Sequence, residues 1–314
     1  MGKCLVTKLN GTVNNSSISR LGEMRFKINK VDVPTEGTQL LGLFVNTPSK
    51  VEIIGDGYFT DKTLQKNKGK SLSIDSATNG IFVSSISNVE VALLGKYAIT
   101  EINGYYRNQP SNTIYSTNKS FDIGDLKYST ALTSLNFYNS QVSGDIANLK
   151  SLTALTSLGL SNTQVSGDIA NLKSLTALTS VILSNTQVPL TGNIGELSVL
   201  SKCAEMNFKY SKLTGDLATL PSVCRFASFS NDKGSVFTWS TRSSSSKIIA
   251  IEGNATLNNI DKMLQDQAQC QVGFSSGDSI WYKTIQVAGN RTSASDEAVA
   301  TLQQKGYTIS IAKA

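Results

Sequence analysis

The sequence predicts an α+β chain, with an N-terminal all-β, sandwich-like domain followed by a solenoid of short repeats and degenerate C-terminal capping repeats. Three observations predict it. Residues 1–105 alternate short apolar runs with turn signals. From about residue 120, apolar residues recur at a fixed interval of 23. Beyond 231 the interval loosens and helical stretches alternate with strand-like ones. The expected organisation is a β-rich anchoring domain over 1–105, a junction over 106–119, repeats over 120–231, and degenerate repeats with a cap over 232–314.

The N-terminal strands are read from "CLVTKL", "EMRFKINKVDV", "LLGLFVN", "KVEIIG", "SLSID", "GIFVSSI", "VEVALLG" and "YAITEI". Each is short and rich in β-branched residues, and turn signals such as "PTEG" and "ATNG" stand between most of them. Their close spacing suits a sandwich or a small barrel. Met24, Phe26 and Ile28 alternate with Arg25, Lys27 and Asn29, as a half-buried strand requires.

The repeat reads L-x-x-L-x-L/F-x-x-S/T-x-V-x-G-x-I-x-x-L-x-x-L. One copy uses Leu132, Leu135, Phe137, Ser140, Val142, Gly144, Ile146, Leu149 and Leu152. The next uses Leu155, Leu158, Leu160, Thr163, Val165, Gly167, Ile169, Leu172 and Leu175. A third runs from Leu178 through Val188 to Leu200, with two extra residues around Pro189, and a divergent fourth starts at Cys203. "SFDIGDLKYSTA" marks a partial earlier copy beginning near 112–115. "QVSGDIANLKSLTALTS" occurs twice, at 141–157 and 164–180. Recent duplication of a rung accounts for an identity that extends to solvent-facing Lys150 and Lys173.

Alternation in the L-x-L segment turns two side chains inward from a short strand. Stacked strands would lie ~4.8 Å apart. Ser140, Thr163, Thr186 and Ser211 are expected to bond backbone groups in the bend, since an unpaired buried polar group costs about 1–3 kcal/mol. The glycines permit the turn after the strand, and Asp145 and Asp168 are placed in the first turn of the return segment. No unit can bury its apolar side alone, so the stack is the domain and its ends need caps.

This pattern is similar to that of leucine-rich-repeat proteins. The resemblance is specific for about 120–231. It places a conserved-type asparagine where Ser140, Thr163, Thr186 and Ser211 stand, and "IIAIEGN" and "TIQVAGN" return to it at Asn254 and Asn290. Helical stretches are expected near 257–269 and 295–305, and a closing strand at "YTISIA".

Composition excludes several functions. With no histidine, Ser–His–Asp and Cys–His machinery are absent, as is the commonest zinc ligand. Cys4, Cys203, Cys224 and Cys270 fit no metal spacing; Cys203 and Cys224 sit at apolar repeat positions and read as buried thiols. No GxSxG, Walker or dinucleotide motif occurs, so the chain is read as no enzyme and no cofactor is expected. A net charge of +6 is spread along the chain, without the stripe that nucleic-acid binding needs. The sequence shows neither a secretion signal nor an 18-residue apolar run, so folding in a reducing cytosol without membrane insertion is expected.

Binding residues are sought on the outward side of the strands, the concave face of such a solenoid. One column is Asn136, Gly159, Ile182, Asn207 and Ser228; the next is Tyr138, Ser161, Ser184, Lys209 and Ser230. Beside them stand Asn139, Asn162, Asn185 and Tyr210. The candidates are Asn136, Tyr138, Asn139, Asn162, Asn185, Asn207, Lys209 and Tyr210. Such a polar, nearly uncharged surface suits a glycan or protein partner and equally a merely solvated face. Trp239 and Trp281 are weighed as core rather than contact, and Tyr105, Tyr106 and Arg107 as an interdomain seam.

The opening "LVTKLNGTVNNSSISRLGEMRFKI" and the segments "WSTRSSSS" and "RTSASDEAVATLQQKGYT" resemble structural and fibre-like proteins of phages infecting gut Bacteroidales. That resemblance implies an oligomeric virion head or tail appendage, bound to virion structural proteins through residues 1–105 and displaying the repeats to a cell-surface glycan or protein. The alternative reading is a bacterial leucine-rich-repeat protein that binds a protein or glycan; the third is a glycan depolymerase.

Overall fold

Stacking of the 23-residue units dictates the architecture seen in a computed structural model of the chain. It describes residues 121–187, 189–230 and 235–313, apart from the side chain of Asn254, and, before them, the backbone of ten short strands. Those strands are β1 (Glu23–Ile28), β2 (Gly42–Val45), β3 (Ser49–Gly55), β4 (Tyr58–Thr60), β5 (Lys66–Asn67), β6 (Ser71–Ile74), β7 (Ile81–Ser84), β8 (Val89–Leu94), β9 (Ile99–Asn103) and β10 (Lys119–Ser120). Seven of the eight expected runs carry a strand; "CLVTKL", the 112–115 start and the 105–107 seam lie outside the described residues. Strands β10, β1, β8, β3 and β6 form one antiparallel sheet in that order. In a second sheet, β5, β4, β7, β2 and β9 pair antiparallel.

The second sheet continues into the repeats. β9 lies parallel to β11 (Ser134–Asn136), with Ile102 opposite Leu135. From there β13 (Ser157–Gly159), β15 (Ser180–Ile182), β17 (Glu205–Asn207), β19 (Phe226–Ser228), β21 (Ala250–Leu257), β22 (Thr284–Ala288) and β23 (Thr308–Ala312) add in parallel, one per rung. The fold of the repeats is thus a parallel β-solenoid with short connecting helices. Register follows the sequence pattern: Leu135, Leu158, Val181, Met206, Ala227 and Ile251 are neighbours, and all are buried.

Each rung then makes a second short strand. β12 (Ser143–Asp145) pairs with β14 (Gln164–Ser166), and β16 (Thr191–Asn193), β18 (Lys212–Asp216) and β20 (Val236–Thr238) pair in sequence. Bridges Asp122–Ser143 and Asp168–Thr191 extend this line. β21 is long enough to serve both lines, meeting β19 at Ala250–Glu252 and β20 at Thr256 and Leu257. A turn of 3-10 helix, such as Ile146–Leu149 or Ile169–Leu172, carries the chain back. Its isoleucine and leucine are fully buried, as the apolar spacing predicts. In the third copy Leu190 is a buried apolar residue before the glycine; Val188, which the pattern named for that place, lies outside the described residues.

The C-terminal units replace the 3-10 turn with α-helices α1 (Ile260–Gln269) and α2 (Asp296–Gln304), close to the expected helical stretches. α1 buries Ile260, Met263, Leu264 and Gln267. Among the described residues, no helix is long and apolar enough to cross a membrane.

Candidate functional site

Two devices hold the rungs in register before any surface residue is considered. The first joins each aspartate to the next glycine. Asp145 Oδ1 accepts from Ala147 N at 2.8 Å and Asp168 Oδ1 from Ala170 N at 2.8 Å. These residues are helix caps rather than first-turn residues: Asp145 is the last residue of β12 and has extended backbone (φ −86°, ψ 129°), so the helix starts at Ile146. Gly167 has φ +124°, and a Cβ there would lie 2.4 Å from Asp145 Oδ1. Gly144 stands in the same way to Asp122, and Gly192 to Asp168. The glycine therefore serves the previous rung's cap as well as its own turn.

The second device is a ladder of asparagines. Asn139, Asn162 and Asn185 leave their strands with φ of 51°, 56° and 53°, a region that asparagine enters more readily than most residues. Asn162 Nδ2 donates to Asn139 Oδ1 at 2.6 Å, and Asn185 Nδ2 to Asn162 Oδ1 at 2.5 Å. Tyr210 takes the equivalent position with φ 66°, and its N–H donates to Ser230 Oγ at 2.9 Å. These four candidates thus line one rim of the strand face.

The other candidates lie on the face itself. Asn136 Nδ2 donates to Ser134 Oγ at 2.7 Å. Tyr138 is half-buried, and its ring lies across Gly159 of the next rung, where a Cβ would stand 2.3 Å from the tyrosine hydroxyl. Ser184 Oγ donates to Ser161 Oγ at 2.9 Å. Asn207 Oδ1 accepts from Lys209 N at 3.2 Å, and Lys209 Nζ pairs with Glu252 Oε1 at 2.6 Å. The face is knitted within itself along its length.

The bend hydroxyls behave less uniformly than expected. Thr163 Oγ1 donates to Leu160 O at 2.6 Å. Ser140 Oγ and Ser211 Oγ are buried and make no hydrogen bond. The β-branch of threonine restricts χ1, whereas a serine hydroxyl has no such guide. Asn290 is exposed and does not return to a buried consensus position; the side chain of Asn254 lies outside the described residues.

Sequence reasoning missed the most elaborate cluster. Arg225 donates to Glu205 Oε1 at 2.9 Å and Asp278 Oδ2 at 2.7 Å, and its guanidinium lies 4.5 Å from the Tyr282 ring centre. Tyr282 packs on Phe226 at 5.3 Å between ring centres. Burial, with Glu205 close by, pushes the Tyr282 hydroxyl up to about 12. Glu205 and Arg225 stand in the repeat and Asp278 and Tyr282 outside it, and no motif joins them. The available signal was an interval: Ile251 pairs with Ile285 across 34 residues, but Ile285 with Ile309 across 24.

The two tryptophans separate. Trp239 is 1% exposed and donates from Nε1 to Asp266 Oδ2 at 2.9 Å, as a core residue should. Trp281 is 53% exposed, so its core assignment is corrected: it sits in a one-turn helix, Ile280–Lys283, with no buried face. Cys203 and Cys224 are free and buried as expected, and so is Cys270. Desolvation pushes the Cys203 and Cys224 thiols up to about 12. No group of metal-holding side chains occurs among the described residues.

No family model matches the sequence, and no curated protein does. Among solved structures, the chain is similar to the BIR2 ectodomain from Arabidopsis thaliana, at 26% identity over 33% of this chain and 56% of that one, with a TM-score of 0.29. It is similar to the BIR3–SERK2 complex from Arabidopsis thaliana at 27% identity, over 35% of this chain and 65% of that one, with a TM-score of 0.29. It is also similar to internalin C2 from Listeria monocytogenes at 26% identity, over 29% and 38%, with a TM-score of 0.26. The chain thus spans less than two thirds of each, and the fold rests on the strand pairing described above.

These findings correct the virion reading. The likenesses are to an ectodomain, a complex containing BIR3 and SERK2, and an internalin, rather than to phage appendages. The fibre role, the virion location and oligomeric anchoring to virion proteins are withdrawn. The short segments that suggested them carry no ligand or assembly motif.

Proposed function

We propose that the chain is a non-enzymatic binding protein whose solenoid engages a protein or glycan through the outward side of its strand ladder. Asn136, Tyr138, Asn207 and Lys209 would make contacts on the face, with Asn139, Asn162, Asn185 and Tyr210 along its rim. One observation carries this reading. Residues 141–157, which carry the turn, the cap and the return segment, repeat letter for letter at 164–180, whereas the strand changes from Asn136-Phe137-Tyr138 to Gly159-Leu160-Ser161 and then Ile182-Leu183-Ser184, with the inward residue staying apolar and the outward ones changing in character. We also take the two N-terminal antiparallel sheets to pack as a sandwich-like cap over 1–105, joined through 106–119 to repeats over 120–231 and degenerate repeats over 232–314.

The test is an array of proteins and glycans probed with the full chain and with a Tyr138→Ala, Asn207→Ala, Lys209→Ala variant. Both must give the same circular-dichroism melt. Loss of signal in the variant supports the reading. Equal binding by both forms overturns it.

A further inference from the structure

The interval of 34 residues between Ile251 and Ile285 holds about ten more than the next unit, and the surplus follows α1 as the segment 271–283. It folds back onto the rungs and is fixed there. A Cβ on Gly273 would meet Ile248 O at 2.7 Å and Arg225 Cβ at 3.0 Å, so the backbone enters flush against the residues that lead into β21 and β19. Gly273 N donates to the Tyr307 hydroxyl at 3.0 Å, and Phe274 packs edge-on against the Tyr307 ring at 5.0 Å. Asp278 and Tyr282 complete the attachment through Arg225 and Phe226. Despite this, Ile280 and Trp281 remain 61% and 53% exposed.

We propose that this loop and the adjoining strand face form a binding site for a neutral glycan, with Trp281 as the platform for a sugar ring and Glu205, Arg225 and Asp278 as its hydrogen-bonding groups. The inference rests on the reading that the strand face binds, and it names the ligand class and the place.

Three features favour that occupant. The indole is presented on a loop already pinned at both ends, so little ordering cost falls on binding. The local charges balance only with Lys283 included: Arg225 pairs with Glu205 and Asp278, Lys283 acts on Asp278 through space, Lys209 pairs with Glu252, and the paired side chains are only 16–27% exposed. A charged ligand would have to break one of these pairs, whereas sugar hydroxyls donate to the spare carboxylate lone pairs and leave the pairs intact. Finally, the exposed large apolar side chains of the loop are three, Val272, Ile280 and Trp281, of which only the last two are more than half exposed. A standard protein interface covers about 800 Å² per partner around an apolar core. One indole against the apolar face of one sugar ring needs far less.

The buried Trp239 and the exposed Trp281 make the test direct. The full chain is titrated with cello-, xylo-, manno-, malto- and chitohexaose, and with polygalacturonate as the charged control, by tryptophan fluorescence and calorimetry. At least one neutral hexaose should bind saturably and shift the emission. Trp281→Ala should weaken binding by about tenfold or more, and Trp281→Tyr should keep most of it. Circular-dichroism melts verify that each variant is folded. The proposal is overturned if no neutral hexaose binds at about 10 mM, where even a Kd of a few mM would register. It is also overturned if only polygalacturonate binds, or if Trp281→Ala binds a hexaose as well as the parent does. Hexaose binding lost only in the Tyr138, Asn207, Lys209 variant, or a protein bound there with no hexaose, removes this site and leaves the strand-face reading standing. Silence on both the array and the hexaoses removes both.

Discussion

The rungs from Leu132 to Thr186 and those from Cys203 to Ala288 solve the same stacking problem with different means. The first group uses identical parts. Aspartate caps fit beside glycines, asparagines bond down a column, and the hydroxyls of Thr156 and Thr179 reach the carbonyls of the preceding rung. The second group keeps the cap and glycine only in its first rung, at Asp216 and Gly215, and then loses those repeats. It relies on single long side chains that reach across rungs: Arg225, Arg242, Lys209 and Gln267. Periodic regions can share stability among many equivalent small contacts, whereas aperiodic ones concentrate it in a few residues. Surface chemistry follows the same division, since the ion-paired and aromatic cluster at Arg225 arises where the interval breaks.

If that contrast is right, the largest loss from a single change should come from the aperiodic half. Arg242 is 5% exposed and donates to Leu220 O at 2.8 Å, Pro221 O at 3.0 Å, Lys247 O at 3.2 Å and Ala218 O at 3.3 Å. Arg242→Met should cost about 3–5 kcal/mol, because it strands several buried carbonyls at once. Urea unfolding followed by circular dichroism would measure it, and a loss below about 1 kcal/mol would contradict the concentration argument.

Alkali should act on the same half. The Cys203 and Cys224 thiols are pushed up by burial from 9.0 to about 12. Their folded values exceed the unfolded ones, so their contribution is fully present below pH 9 and is lost as pH rises toward 12. The melting temperature should fall across that window. The double variant Cys203→Ala, Cys224→Ala should show a shallower fall, although it is less stable at neutral pH.

In the periodic half, Gly167→Ala should cost about 2–3 kcal/mol, from positive φ and from the clash with the Asp145 cap. Because the two residues form one device, Asp145→Ala should remove part of that cost. A double-mutant cycle should give a coupling of about 0.5 kcal/mol or more, and simple additivity would show that cap and glycine act separately. The smallest effect should come from Asn162→Ala, about 1 kcal/mol, since it removes one ladder residue with two hydrogen bonds. Asn162→Gly should cost less than Asn162→Ala if left-handed backbone dominates there.

The repeats were legible because each rung states its inward residues in a fixed order, and seven N-terminal strands were legible from alternation and turns. β4, β5 and β10 escaped because two or three residues are too few to show a period. The candidate face was readable as columns, because parallel register places equivalent letters side by side. Its internal bonding was not readable, nor was Tyr138 lying over Gly159, since both depend on distances between rungs. The weighing of Trp281 as core failed because an irregular segment gives no periodicity from which to infer burial.

The sequence by itself determined the solenoid, its interval, its inward residues and the absence of histidine chemistry, because those properties are local or periodic and need no knowledge of neighbours. Only the tertiary structure decided that each glycine serves the preceding aspartate, that asparagines at 23-residue spacing bond one another, and that residues 271–283 fold back to join Asp278 and Tyr282 to Arg225. Those contacts link residues 20 or more apart through space. Letters so far apart carry no mutual constraint that a chain can show until stacking brings them within hydrogen-bonding distance.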